Sequence, residues 1–146
     1  MRTMKLSEQS VGEFLAALGE RTPAPASGAA TALTAALAAA LVELAGRFAG
    51  DEDAVVRAKR LWSRLSELGD EDMAAYTAFM ADRSEENRER IIAVPLEIAE
   101  CAEEAAELAE RVRKQLRTAV VGDAEAAREL AGAAARAARR LAEMNG

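Results

Sequence analysis

Residues 21–37 read Arg-Thr-Pro-Ala-Pro-Ala-Ser-Gly-Ala-Ala-Thr-Ala-Leu-Thr-Ala-Ala-Leu, a Pro-x-Pro turn that runs straight into an Ala/Leu helix. Proline stiffens the turn, and Gly28 lets a ligand or a second backbone come close to the helix start. The first N–H groups of a helix lack partners, and the helix dipole favours negative charge there. The junction at Ser27 and Gly28 therefore has two interpretations, a turn that anchors the fold or a cradle for an anion.

The composition indicates one all-α domain spanning residues 1–146. The chain is long enough to bury a core, with 51% hydrophobic and 30% charged residues. Alanine, the best helix former, dominates, whereas only three Phe, one Tyr and one Trp are present. We expect an up-and-down bundle of about five helices, with the long Ala/Leu helix after the Pro-x-Pro loop buried at its centre.

The charge and the ligand set exclude several classes of function. A net charge of −6 leaves no basic face for nucleic acid. There is no His, so acid–base chemistry near neutral pH must use a carboxylate, Tyr, Lys or the single Cys101. We expect no metal site and no cofactor, because the remaining oxygen ligands show no clustered spacing. Cys101 is interpreted as a small core residue, and the lack of a disulfide suits the cytoplasm.

Neither a signal peptide nor a membrane span is expected. The opening Met1-Arg-Thr-Met-Lys-Leu-Ser lacks the apolar core of a signal peptide. The apolar run over residues 29–42 is mostly Ala and meets Glu43 before it reaches the roughly 20 residues that a span needs. We interpret this run as the central helix of a soluble bundle.

Hydrophobic periodicity and cap residues place the helices. Ser10 and Glu13 have the spacing of a capping box, and Asp123 is predicted as the N-cap of the last helix. The apolar alternation of three and four residues continues through Gly69, which favours one continuous third helix. The predicted helices cover residues 10–18, 27–49 and 51–81, then one from residues 84–87 to about 116, then one from Asp123 to about 145.

Asp72 is the sharpest candidate for chemistry. In a continuous third helix its carboxylate lies on the core-facing stripe with Leu68, Ala75 and Phe79. Burial there would raise its pKa towards neutrality, which suits a general base. Tyr76, one turn on, could position it or bind a ring. The alternative is that Gly69 ends the helix and Asp72 is an acid of the next first turn.

Two further residues stand out near the end of the chain. Pro95 lies inside the fourth helix, where it should leave the Ile91 carbonyl without its helical donor, free to accept from a ligand. Asn145 falls on an apolar seam and is either a ligand contact or a frayed end exposed to water.

Taken together, these segments resemble the cyclodeaminase/cyclohydrolase family of folate enzymes. The resemblance rests on the residue 21–30 loop, on Leu68-Gly-Asp-Glu-Asp-Met-Ala-Ala-Tyr-Thr-Ala-Phe, on Val94-Pro-Leu-Glu-Ile-Ala and on the helix from Gly122-Asp-Ala to Asn145. It covers nearly the whole chain in the right order. The departures are Ala26 and Ser27 in place of two family glycines, missing Asn residues before Asp123, and an end that is short relative to the family.

The resemblance implies an all-helical homodimer that binds a reduced folate. The implied reaction is hydrolysis of 5,10-methenyltetrahydrofolate or closure of 5-formiminotetrahydrofolate with loss of ammonia, with Asp72 as the base. The implied substrate contacts are Pro25, Ser27, Gly28, Tyr76, Asp123 and Asn145. The alternative is a non-catalytic helical dimer of the same fold that binds a small ligand or a partner protein, which the departures favour.

Overall fold

The computed structural model describes residues 4–146, which form a bundle of α-helices without strands. Residues 1–3, part of the segment judged not to be a signal peptide, lie outside the described residues. The prediction of an all-α bundle with five helices is confirmed for the described chain. The elements are a 3₁₀ turn Leu6–Glu8, α1 Val11–Gly19, α2 Ser27–Ala49, α3 Glu52–Ala81, α4 Glu85–Gln115 and α5 Val121–Asn145.

The caps explain most of the helix bounds. The predicted capping box is present, since the Ser10 hydroxyl accepts from the Glu13 N–H at 3.0 Å and the Glu13 carboxylate accepts from the Ser10 N–H at 2.9 Å. The prediction that Asp123 caps α5 is wrong. That helix begins at Val121, because the Val121 N–H already donates to the Thr118 carbonyl. Asp123 therefore lies inside the first turn.

Helix α2 packs at the centre of the bundle mainly with its alanines, and less with its leucines. Ala32, Ala35 and Ala39 are fully buried where α3, α4 and α5 pack on α2. Of the larger side chains of this helix, Val42 is fully buried, whereas Leu37 and Phe48 are 57% and 65% exposed. Small side chains let three neighbours approach α2 closely, so most of the bulky residues are left on the remaining face.

By length and composition alone, α2 could also cross a membrane. Half of its most apolar stretch is buried inside the protein. The core helix of a soluble protein passes the same test of length and hydropathy, and the packing on three helices agrees with the interpretation of α2 as such a helix.

Two arginine clusters hold α3 against α4. Near the middle of α3, the Arg64 guanidinium donates to both oxygens of Glu97, at 2.6 and 2.9 Å. At the start of α3, the Asp51 carboxylate caps the helix through the Ala54 N–H and also accepts two hydrogen bonds from Arg111 of α4. Paired contacts at separate heights fix the register of the two helices.

Gly69 lies in the interior of α3 because the N-terminal segment packs directly on it. A Cβ at this position would overlap Cδ1 of Leu6, a buried residue. The backbone N–H of Leu6 also donates to the Asp70 carboxylate at 3.0 Å. The glycine therefore serves close packing and does not end the helix, and the prediction of a continuous α3 is confirmed.

Gly69→Ala is expected to destabilise the protein by about 1–3 kcal/mol, because Leu6 is enclosed by Phe14, Ala29 and Met73 and has little room to move. The matched control is Gly132→Ala in the interior of α5, where a Cβ would meet only the end of the flexible Arg136 side chain. That variant is expected to gain about 0.5–1 kcal/mol from helix propensity. Urea unfolding measures both, and equal effects would contradict the packing role of Gly69.

Candidate functional site

A cavity of about 210 Å³ lies where the loop before α2, the first turn of α2, α3, α4 and the end of α5 meet. Each of these elements contributes at least one side chain or backbone segment to the wall. The lining residues are Pro23, Ala24, Ala26, Ser27, Gly28, Asp72, Tyr76, Pro95, Leu141 and Asn145.

The structure brings most of the predicted site residues to this cavity. The predicted residues that line it are Ser27, Gly28, Asp72, Tyr76 and Asn145. Pro25 does not line it, although its neighbours on both sides do, and the peptide bond before Pro25 is cis.

Asp123 is the predicted contact that the structure leaves far from the cavity. It lies in the first turn of α5, whereas Asn145 is the last residue of that helix. At 1.5 Å per residue the two are about 33 Å apart along the helix axis. Sequence reasoning missed Leu141 as a wall residue, yet it lies one helical turn before Asn145 on the same seam and could have been found from that spacing.

The Asp72 carboxylate packs directly against Gly28 in the first turn of α2. A Cβ at Gly28 would overlap both carboxylate oxygens and Cγ of Asp72. Only glycine therefore lets the two helices meet in this way. The group that lies against the predicted anion cradle is thus a carboxylate of the protein itself.

Burial raises the pKa of Asp72 to about 6. Among the described residues its carboxylate has no hydrogen-bond donor or cation to offset that burial. The residue before α2, Ala26, has no side chain that could cap the helix, so the first N–H groups of α2 have no side-chain partner there, and the first two residues of α2 line the cavity. Their partial positive charge favours the ionised form of a nearby acid, in opposition to burial.

Asn145 is held by a hydrogen bond and is not frayed. Its Nδ2 donates to the Ile91 carbonyl at 2.8 Å. This is the carbonyl that Pro95 deprives of its helical donor, as the sequence predicts. The partner is a side chain of α5, so this carbonyl is not left free to accept from a ligand.

Tyr76 contributes a ring to the mouth of the cavity. It is 37% exposed, on the α3 turn that follows Asp72. Its hydroxyl makes no hydrogen bond to Asp72 in the described part of the chain, so it does not fix the position of the acid. The ring offers a flat surface against which a planar ligand could stack.

Outside the cavity, the acidic residues and the cysteine of the described chain are not arranged as a metal centre. Across residues 4–146, no three residues among Asp, Glu and Cys are grouped as metal ligands would be. Cys101 lies on α4 away from the cavity, and burial raises the pKa of its thiol to about 11. A thiol with so high a pKa is a poor nucleophile near neutral pH.

Comparisons with known proteins agree with this architecture. The chain is similar to the crystal structure of a formiminotetrahydrofolate cyclodeaminase from Thermotoga maritima, with a TM-score of 0.91 over 97% of this chain and 80% of that one. At 22% sequence identity this similarity shows a shared fold. No curated protein matches the sequence. The formiminotransferase-cyclodeaminase family profile matches residues 10–146, and the chain therefore belongs to that family.

Proposed function

We propose that the cavity binds the reacting end of a reduced folate and that Asp72 transfers protons there. The reaction is hydrolysis of 5,10-methenyltetrahydrofolate or closure of 5-formiminotetrahydrofolate with loss of ammonia. The observation that carries the proposal is the Asp72 carboxylate, which lies against Gly28 in a partly buried cavity and has no hydrogen-bond or ion-pair partner within residues 4–146. An uncompensated acid in a cavity is costly for folding, and such groups concentrate at functional sites.

The chemistry of the substrate agrees with this set of residues. The methenyl carbon lies between two nitrogens and carries amidinium-like positive charge, so it is already an electrophile. It needs a positioned water and a base more than a nucleophile or a metal. A carboxylate with a pKa of about 6 is mostly ionised at neutral pH, yet it accepts a proton more readily than an ordinary aspartate.

One carboxyl group serves either reaction. In hydrolysis, Asp72 removes a proton from water as the oxygen bonds to the methenyl carbon, and returns it to the nitrogen as the C–N bond breaks. The remaining hydroxyl proton, which corresponds to the lost positive charge of the methenyl bridge, is released to solvent and leaves a neutral formyl group. In ring closure, a folate N–H nitrogen bonds to the carbon of the protonated formimino group, and Asp72 takes the proton from that nitrogen and passes it to the departing amine. The C–N bond to this amine then breaks, which releases ammonia and leaves the cationic methenyl bridge. The cavity residues favour neither reaction over the other.

The size of the cavity limits what it encloses. Its volume of about 210 Å³ is below the roughly 300–1,000 Å³ of pockets that bury a drug-sized ligand. We therefore assign it the reacting ring alone, with the rest of the folate extending past the exposed Tyr76. Ser27, the Gly28 N–H and Asn145 supply the polar contacts, and Pro25 shapes the loop without touching the ligand.

We also propose that a second copy of the chain covers the outward face of α2. Leu37, Leu44 and Phe48 are exposed along this helix, and Ala40 lies among them. A two-fold axis pairs a patch with itself, and a continuous apolar stripe with a small central residue suits such pairing. With its single cysteine, the dimer is assigned to the cytoplasm.

Asp72→Asn is expected to lower turnover by at least about 100-fold, because amide nitrogen and oxygen cannot shuttle the proton. The same variant is expected to raise the free energy of unfolding at pH 8 by about 1–3 kcal/mol, because the buried charge is removed. The pKa of Asp72 rises from 3.8 to about 6 on folding, so the wild-type protein loses stability as pH rises through that window. The difference in free energy of unfolding between Asp72→Asn and the wild type should therefore become smaller as the pH falls from 8 to 4.

Steady-state assays with both folates and urea unfolding at several pH values measure these effects. Asp82→Asn, a change at an exposed residue in the loop after α3, is the control. Unchanged turnover in Asp72→Asn would show that Asp72 is not the base. If the wild-type protein binds a reduced folate but turns over neither substrate, the non-catalytic dimer becomes the better description.

Gly28→Ala is expected to lower turnover by about 100-fold, since the new Cβ displaces the Asp72 carboxylate and a shift of about 1 Å is enough for such a loss. Gly122→Ala is a closely matched control, because Gly122 is also the second residue of its helix but has no atom within 4 Å of an added Cβ. Equal activity of the two variants would contradict the role of the Gly28 contact.

Leu37→Glu combined with Phe48→Glu is expected to yield a monomer, because the charges would be buried without partners in the proposed interface. Sedimentation velocity measures the change in mass. Val11→Glu is the control, since Val11 is 76% exposed on α1 and lies outside the α2 face. A wild-type protein that sediments as a monomer at micromolar concentration would refute the dimer.

A further inference from the structure

Pro95 leaves a carbonyl near the start of α4 without its helical donor. In a regular helix the N–H of residue 95 would donate to the carbonyl of Ile91, but proline has no N–H. Ile91 is only 5% exposed, so water does not readily replace the missing donor. The Asn145 side chain replaces it instead, with Nδ2 at 2.8 Å from the carbonyl oxygen.

This hydrogen bond determines which end of the Asn145 amide is turned away from α4. A carbonyl oxygen only accepts, so Asn145 must present its NH₂ group to Ile91. A flipped amide would set two acceptor oxygens against each other. The Oδ1 of Asn145 accepts no hydrogen bond from the residues that the structure describes, and Asn145 lines the same cavity as Asp72. The cavity thereby gains a second unpaired acceptor.

The polar groups of the cavity are then of two kinds, hydrogen-bond acceptors and hydrogen-bond donors. The ionised Asp72 carboxylate and the Asn145 Oδ1 both accept, whereas the open N–H groups in the first turn of α2 donate. A ligand that presents a carbonyl or carboxylate to the two acceptors would leave them unpaired, which is unfavourable away from water. A ligand that presents N–H groups on that side satisfies both.

We propose that Asn145 is a specificity-determining residue whose Oδ1 accepts an N–H from the ligand, and that Pro95 is the positioning residue that orients it. The ligand class is a planar amidine or nitrogen heterocycle with N–H groups along one edge. This inference rests on the proposed function, under which that edge belongs to the reduced pterin ring of the folate. Pro95 also lines the cavity, but its proposed effect on binding acts through Asn145.

The test is isothermal titration of the full chain with 5-formyltetrahydrofolate, a reduced folate that lacks the reactive bridge. Asn145→Leu removes the acceptor at similar volume. Pro95→Ala restores the backbone N–H that competes for the Ile91 carbonyl and releases the Asn145 amide. Each variant is expected to bind about three- to tenfold more weakly, the effect of one hydrogen bond. Met144→Ala, at the exposed neighbouring residue, is expected to bind as the wild type does.

The double variant separates positioning from general damage to the fold. If Pro95 acts through Asn145, adding Pro95→Ala to Asn145→Leu weakens binding no further, whereas independent roles give multiplied losses. Circular dichroism confirms that each variant is folded. In the wild type, a scalar coupling across the hydrogen bond from Asn145 Nδ2 to the Ile91 carbonyl carbon should be detectable by NMR and should be lost in Pro95→Ala.

The outcomes distinguish this inference from the function on which it rests. Weaker binding in both single variants, with no further loss of affinity in the double variant, supports it. Unchanged affinity in both, multiplied losses in the double variant, or a missing coupling in the wild type overturn the inference and leave the proposed function standing. A wild-type protein that does not bind the reduced folate overturns both.

Discussion

Helix α2 must be approached closely by three other helices at once, and this constraint governs the rest of the structure. Its buried positions are therefore alanine or glycine except at Val42, and Ala32, Ala35 and Ala39 are fully buried. Most of the bulkier residues lie on the outward face, which carries Leu37 and Phe48. The same close approach at its first turn lets the Asp72 carboxylate rest on Gly28. One packing requirement thus produces the core, an apolar surface and the geometry of the candidate site.

The sequence predicts the helices well because their signals are local. Helix α3 continues through Gly69 since the apolar spacing on both sides keeps one phase, and a single glycine weakens a helix by only about 1 kcal/mol. The N-cap rule failed at Asp123 for an equally local reason: the turn over residues 118–120 already supplies acceptors for the first N–H groups. A side-chain cap is not needed where the backbone provides the partner.

The site is harder to predict than the helices, because its decisive contacts join distant parts of the chain. The apolar periodicity of α3 predicts that Asp72 faces the core, but the spacing does not predict that Gly28 of α2 lies against its carboxylate. In the same way, Pro95 predicts an unpaired carbonyl at Ile91 without identifying Asn145 as its partner. The spacing also did not predict which face of α2 is buried, because a helix that is apolar on most of its surface has no extended polar side to mark the solvent. There, side-chain volume decides which face is buried.

The polar groups of the cavity are arranged so that the protein leaves them incomplete. A carboxylate at Asp72 with a pKa raised by burial makes the folded state less stable at neutral pH than an amide would. In the part of the chain that the structure describes, the first α2 N–H groups have no side-chain cap, and Asn145 donates to Ile91 while its Oδ1 accepts no hydrogen bond. A core selected for stability alone would pair these groups with one another. Their place around one cavity is explained if a ligand completes them, with N–H groups or positive charge at Asp72 and Asn145 and an acceptor atom at the α2 N–H groups.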